Sequence, residues 1–130
     1  ALNQDSKAVK GSRILVLGVA YKPNIDDVRE SPALDIIRLL EGDGAEVLYH
    51  DPFVPRLEED GKTWESHDLA DDLLQALDAA VIVTHHTGVD YQRVVELVPV
   101  VVDTRNATAD LPNVTTNKSS NGWIVKGRRK

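Results

Sequence analysis

Apolar positions along this chain fall into short unbroken runs that alternate with one-sided helical stretches. Ile14-Leu15-Val16-Leu17 is such a run. Its β-branched content suits a strand covered on both faces, so Arg13 to Gly18 reads as a buried strand. Ser31-Pro32 opens a helix, with Ser as N-cap and Pro at the first helical position, where its missing N–H is harmless. Ala33, Ile36, Ile37 and Leu40 follow at i, i+3, i+4 and i+7, one face of that helix. Gly42 and Gly44 mark its end. Glu46 to His50 alternates and reads as a second strand, broken by Asp51-Pro52-Phe53-Val54-Pro55. Residues 56–65 read as a charged connection with a short extended piece around Trp64. Ser66 is the expected cap of a second helix carrying Ala70, Leu73, Leu74 and Leu77 on one face. Ala79 to Thr84 reads as a third strand. Asp90 caps a third helix through Val94, Val95 and Val98, and Pro99 to Asp103 reads as a fourth strand. Residues 107–120 are polar and weakly patterned. Trp123-Ile124-Val125 reads as a short last strand or a docked tail, and Lys126 to Lys130 as a solvated basic end.

Strands that alternate with helices define an α/β class with a parallel sheet. The expected architecture is a single domain with an open doubly wound, mostly parallel sheet of four to six strands. The chain is too short for an eight-stranded barrel. Its expected boundaries are a linker end over residues 1–11, the domain over 12–126 and a basic tail over 127–130.

Composition narrows the function classes. The formal net charge of −6 over 130 residues argues against a nucleic-acid binder. There is no cysteine, which excludes a disulfide scaffold, a thiolate metal site and a cysteine nucleophile within this chain. No apolar run reaches the roughly 18 residues of a membrane span, and Ala1 to Ser6 carries no apolar signal core. The expectation is a cytoplasmic protein without a membrane partner. The chain does not open on Met, which reads as a piece of something longer. Three N-x-[ST] sequons, at Asn106, Asn113 and Asn117, read as chance in a stretch rich in Asn and Thr.

In an open α/β sheet, ligands sit outside the carboxyl ends of the strands. Those ends bring forward Tyr21, Lys22 and Arg29 after the first strand, then His50, Asp51 and Pro52 after the second. After the third come His85, His86 and Thr87, and after the fourth Asp103, Thr104, Arg105 and Asn106. One reading brings Lys22, Arg29 and Arg105 together on one anionic ligand. Lys22 alone reads either as a donor to a phosphate or sugar hydroxyl or as a surface loop lysine. Arg29 has two readings, a guanidinium fork on a phosphate or an ion pair with Asp26, Asp27 or Glu30, and spacing alone favours the ion pair. Arg105 has the same two readings in balance. Tyr21 either stacks on a base or closes the core edge. Asp26 and Asp27 read as loop-stabilising and favourable to the positive end of the following helix. His85-His86 is a poor chelating pair, since adjacent strand residues point to opposite faces and no further ligand accompanies them. The chain has no G-x-G-x-x-G, no phosphate-loop motif and no G-x-S-x-G. The loop after the first strand offers side-chain cations where a dinucleotide site offers bare backbone.

Gly18-Val19-Ala20-Tyr21-Lys22 followed by Asp26-Asp27-Val28-Arg29-Glu30-Ser31-Pro32 resembles a family signature. It is similar to the C-terminal UDP-binding domain of the UDP-glucose/GDP-mannose dehydrogenase family. The likeness continues through Tyr49-His50-Asp51-Pro52 with Val54-Pro55, through Val81-Ile82-Val83-Thr84, Asp90-Tyr91 and Val101-Val102-Asp103-Thr104-Arg105-Asn106. It covers about residues 7–108 and is closest to the UDP-N-acetylhexosamine 6-dehydrogenase branch.

The resemblance implies a Rossmann-like fold and a share in a split active site. In that family an N-terminal domain holds NAD, a central helical region joins it to the C-terminal domain, and the site lies between. The enzymes oxidise the sugar's primary alcohol to a carboxylate through a thioester on a cysteine. Neither that cysteine nor the glycine fingerprint is present here, so this chain is expected to bind without turnover. By resemblance Tyr21 and Lys22 contact the nucleotide sugar, as does Arg105, while Arg29 reaches the NAD held by the other domain. Asp26, Glu30 and Ser31 shape the loop. The implied partners are a UDP-sugar and the NAD-binding and central domains of the same enzyme. Two rivals stand beside this reading. A stand-alone nucleotide-binding module would lack an upstream G-x-G-x-x-G and cysteine. A receiver-like signalling domain needs acidic residues after the first strand and an Asp after the third, where this chain has Tyr21-Lys22 and His85-His86.

Overall fold

A computed structural model of the chain describes residues 10–20, 28, 31–59, 61–104, 114–119 and 122–127. The first apolar run forms β1 (Arg13–Leu17), buried from Ile14 onward. Helix α1 (Pro32–Gly42) starts where the sequence places it: the Ser31 hydroxyl accepts from the Ala33 amide at 3.2 Å, and Pro32 opens the first turn. Past its end Gly44 takes φ +95° and donates to the Glu41 carbonyl at 3.0 Å, which turns the chain into β2 (Glu46–His50).

Residues 56–65 depart from the expected charged connection. They form a hairpin, β3 (Arg56–Glu59) and β4 (Lys62–Glu65), in which Arg56 stands opposite Glu65 and Glu59 opposite Lys62. Leu57 is buried and Trp64 half-buried against the core, so one apolar residue per strand fastens the hairpin to the sheet. Ser66 does not cap the second helix. Its hydroxyl accepts from the Asp51 amide at 2.9 Å and donates to the Asp51 carbonyl at 3.3 Å. Helix α2 (Asp71–Ala76) begins after Ala70 with no side-chain cap. Asp71 and Asp72 in its first turn favour the positive helix end instead.

The remaining elements are β5 (Ala79–Ile82), α3 (Tyr91–Leu97), β6 (Val101–Asp103), β7 (Val114–Ser119) and β8 (Gly122–Gly127). Asp90 caps α3 by accepting from the Arg93 amide at 3.1 Å. Trp123 to Val125 lies within β8. The weakly patterned stretch before it supplies β7, its hairpin partner.

Six strands form one sheet in the order β2-β1-β5-β6-β8-β7. The first four run parallel, while β8 is antiparallel to both β6 and β7. Alternation along β1 sends Ile14 and Val16 to one face and Leu15 and Leu17 to the other. On the first face they meet Ala33 and Ile37 of α1, with Val47 and Tyr49 of β2. On the second they meet Leu74 and Leu77 at α2, and Tyr91, Val94, Val95 and Val98 at α3. Helices on both faces make this the doubly wound α/β architecture expected from the alternating pattern. Each fully buried aliphatic side chain contributes about 1.5–3 kcal/mol, so these two layers supply most of the stabilisation.

The chain steps from β1 outward to β2, then returns to the opposite side of β1 as β5. Strand order therefore reverses between β1 and β5. Outside the carboxyl ends of those two strands is where such a fold opens a crevice for ligand.

Candidate functional site

At this reversal point the chain is drawn tight. Gly18 follows β1 with φ +84°, and a Cβ built on it would lie 2.3 Å from the Thr84 carbonyl oxygen. Only glycine fits both that conformation and that approach. Its amide extends the β1–β2 ladder by donating to the His50 carbonyl at 2.9 Å. The Thr84 hydroxyl, just past β5, donates to the Ala20 carbonyl at 2.7 Å. The ends of β1 and β5 are thus pinned by backbone contact and by one buried side-chain bond.

A buried carboxylate joins a third strand end to these two. Asp51, the first residue past β2, accepts at Oδ2 from the Val19 amide at 2.8 Å and the Ala20 amide at 3.2 Å. The same oxygen lies 2.8 Å from His86 Nε2. Oδ1 accepts from the Phe53 amide at 2.8 Å, a local Asx turn across Asp51-Pro52-Phe53. Since Oδ2 already takes two amide donors, the hydrogen of the His86 contact belongs on Nε2. Both side chains are fully buried, at 0% for Asp51 and 1% for His86. The Phe53 ring covers the imidazole with centroids 4.9 Å apart.

Two tyrosines close the surroundings of this cluster. The Tyr91 hydroxyl accepts from the His86 amide at 2.9 Å and reaches the Thr84 carbonyl at 3.5 Å. Burial pushes its pKa from 10.0 up to about 12. The His86 amide bond acts in the opposite direction, and the charges of Asp103 and Asp51 add to the rise. The Tyr49 hydroxyl donates to the Val54 carbonyl at 2.8 Å, and burial with Asp51 nearby raises its pKa well beyond the ordinary tyrosine range. Both hydroxyls stay protonated at neutral pH and serve as fixed donors.

Tyr21, Lys22, Arg29 and Arg105 lie outside the described residues, as do Asp26 and Glu30. Their immediate neighbours are placed. Ala20, which precedes Tyr21, is held at both its amide and its carbonyl. Val28, before Arg29, packs half-buried against the α1 side of the core, and its carbonyl accepts from the Ser31 amide at 3.2 Å. Thr104, before Arg105, sits at the carboxyl end of β6, where its hydroxyl and amide both donate to the Ile82 carbonyl, at 2.6 and 3.1 Å. His85 and His86 diverge: His86 is buried on Asp51, while His85 is exposed with its ring 4.9 Å from that of Tyr91.

The strand-end rule brings forward Asp51 and His86, and Thr84 closes the expected third strand, but the sequence pairs none of them with another. Asp-Pro directly after an alternating strand is the one local signal for Asp51, since it marks an Asx turn. The other three hydrogen bonds to its carboxylate come from residues 31 to 35 positions away and leave no local trace.

The geometry above sits in the middle of a matched segment. The UDP-glucose/GDP-mannose dehydrogenase family, UDP binding domain, matches residues 15–110. This chain belongs to that family. Among curated relatives, a UDP-glucose 6-dehydrogenase of Rhizobium meliloti is 38% identical over 106 residues, covering 75% of this chain and 24% of the relative. A UDP-N-acetyl-D-mannosamine dehydrogenase of Campylobacter jejuni is 46% identical over 52 residues, covering 39% of this chain and 13% of the relative. Of solved structures, a UDP-D-ManNAc dehydrogenase from Pyrococcus horikoshii matches with a TM-score of 0.65 at 27% identity, over 85% of this chain and 26% of that one. A UDP-glucose dehydrogenase from Pyrobaculum islandicum matches with a TM-score of 0.58 at 32% identity, over 82% and 25%. The chain spans about a quarter of the length of the first curated relatives it matches. Among the described residues no helix is long and apolar enough to cross a membrane. The reversal point between β1 and β5 lies within the matched segment.

Proposed function

We propose that this chain is the UDP-sugar-binding domain of an NAD-dependent nucleotide-sugar 6-dehydrogenase. The observation that carries the reading is the match of the family's UDP binding domain across residues 15–110, on a sheet whose order reverses between β1 and β5. Tyr21 and Lys22 continue the chain from the end of β1, and Arg105 continues it from the end of β6. Those two strands flank β5, so their axes stand about 10 Å apart. A gap of that width suits one diphosphate shared by a lysine and an arginine side chain. Lys22 supplies a point charge and Arg105 a planar fork, the two usual modes of phosphate binding. Tyr21 contributes an aromatic face to the nucleotide sugar.

The work of the domain is positioning. It holds the nucleotide so that the sugar's primary alcohol meets reacting groups on the rest of the enzyme. The chain itself has no cysteine and no G-x-G-x-x-G, so alone it binds without turning over. NAD supplies the oxidising power in the intact enzyme. The β1–α1 turn of this chain does not fit its pyrophosphate: the Val19 and Ala20 amides are committed to Asp51, and no glycine follows Gly18 before Ser31. This supports a cofactor held mainly by another domain, with Arg29 the residue here that reaches it. The partners are then the UDP-sugar and the NAD-binding and central domains of the same enzyme, in the cytoplasm.

Calorimetric titration of the chain with UDP, UDP-N-acetylglucosamine and GDP tests the reading. UDP and its sugar bind saturably and GDP more weakly, and Lys22→Ala weakens UDP binding by about tenfold. Tight GDP binding with UDP excluded overturns it.

A further inference from the structure

We propose that the Asp51 carboxylate is a built-in anion seated in the β1–α1 turn, held there by His86, and that this seat fixes the backbone at Ala20, the point from which the chain enters the segment bearing Tyr21 and Lys22. The nucleotide side of the inference rests on the UDP-sugar reading, whereas the seat itself rests on geometry.

A turn that leaves a strand for a helix presents backbone N–H groups suited to a phosphate or carboxylate oxygen. Here two successive amides, Val19 and Ala20, converge on a single Asp51 oxygen at 2.8 and 3.2 Å. The anion arrives from the end of the neighbouring strand β2, so the chain fills its own seat. His86, from beyond β5, adds a third donor to that oxygen at 2.8 Å, and the Phe53 amide serves the other oxygen. A buried carboxylate needs such a set of donors, since desolvation without them is prohibitive.

Two consequences follow for the loop. An external phosphate cannot use these two amides, because they are occupied and buried. At this point of the loop a ligand is met by other groups, and Lys22 and Arg29 are the cations that the loop's sequence offers. The second consequence is positional. The Ala20 carbonyl, bonded by the Thr84 hydroxyl at 2.7 Å, belongs to the planar peptide that begins Tyr21. With the Ala20 amide on Asp51 as well, both peptide planes flanking Ala20 are fixed. The chain enters the segment bearing Tyr21 and Lys22 from Ala20, whose amide is fixed by Asp51 and whose carbonyl is fixed by Thr84. Asp51 and His86 are positioning residues in this account.

Formate rescue of Asp51→Ala in the ¹⁵N-labelled chain tests the seat. Removing the carboxylate opens a space of about its own size, which formate enters. The Val19 and Ala20 amide resonances then move saturably with formate in Asp51→Ala and stay fixed in the unsubstituted chain. UDP binding weakens by about tenfold in Asp51→Ala and recovers with formate. His86→Gln keeps a donor for Oδ2 and retains UDP affinity within about threefold. Asp51→Asn fills the space but sets an NH₂ group against amide donors, so it weakens UDP binding and is not rescued.

Formate that moves neither amide overturns the seat. Unchanged UDP affinity in Asp51→Ala, with only a lowered melting temperature, overturns the positioning role and leaves a merely structural carboxylate. If Asp51→Ala is unfolded, refolding on addition of formate supports the seat, and wild-type UDP affinity in Asp51→Asn overturns it. Should the unsubstituted chain bind no UDP, the proposed function fails while the formate shifts still decide the seat.

Discussion

Gly18 stands where a side chain has no room, between the end of β1 and the Thr84 carbonyl. Its φ of +84° disfavours any L-residue, and an added Cβ would come within 2.3 Å of that oxygen. Gly18→Ala therefore combines backbone strain with a backbone clash and is expected to destabilise the fold by about 3 kcal/mol in urea unfolding. Gly88 offers a control: its φ is +91°, but an added Cβ meets nothing within 4 Å. Gly88→Ala carries the strain alone, about 1 kcal/mol, and equal losses at the two positions would remove the close-approach argument. Tyr91 makes a second prediction at this scale. Its pKa is raised from 10.0 to about 12, so the protonated form is favoured by folding. That contribution is fully present below pH 10 and is lost as pH rises from 10 towards 12, by about 2 kcal/mol. Tyr91→Phe lowers stability at neutral pH by about 1 kcal/mol through the lost hydrogen bonds and flattens the alkaline decline. An unchanged slope in unfolding measured from pH 9 to 12 would show that Tyr91 is not its source.

At the scale of elements, α1 carries the clearest test of local signals. Ser31 accepts from the Ala33 amide and Pro32 presets the first turn, directly after the segment bearing Arg29. Ser31→Ala is expected to cost about 1 kcal/mol in denaturant unfolding, and a loss below a few tenths would mean that Pro32 alone sets the start. The elements legible in the sequence were those whose own residues decide them. β1, β2 and β5 showed as apolar or alternating runs, and α1 and α3 showed through caps at Ser31 and Asp90. The β3–β4 hairpin was hidden because each strand offers the core a single apolar anchor, Leu57 or Trp64. Ser66 misled for a related reason. A serine before a helical pattern is a sound capping signal, but its hydroxyl is engaged by Asp51, 15 residues earlier. The site divided in the same way. The strand-end rule reaches Asp51 and His86, and Thr84 closes the expected third strand, but the bonds around Asp51 and Ala20 exist only once β2, β1 and β5 lie side by side. β7 was obscured because its pairing is with β8 rather than with any internal apolar rhythm.

For the whole molecule, the proposed nucleotide site lies at one pole of the sheet, outside the carboxyl ends of β1, β5 and β6. The opposite pole holds Gly44, where the α1–β2 turn closes, and Asp78, whose carboxylate accepts from the Arg13 amide at 2.8 Å. The five residues of β1 separate the two poles by about 16 Å, beyond the direct reach of a ligand bound at one of them. Amide resonances of the ¹⁵N-labelled chain titrated with UDP separate them directly. The predicted result is a saturable shift at Gly18, Val19, Ala20, Thr87 and Thr104, with Gly44 and Asp78 unmoved. Shifts centred on Gly44 and Asp78, with the carboxyl ends of β1, β5 and β6 silent, would contradict the account.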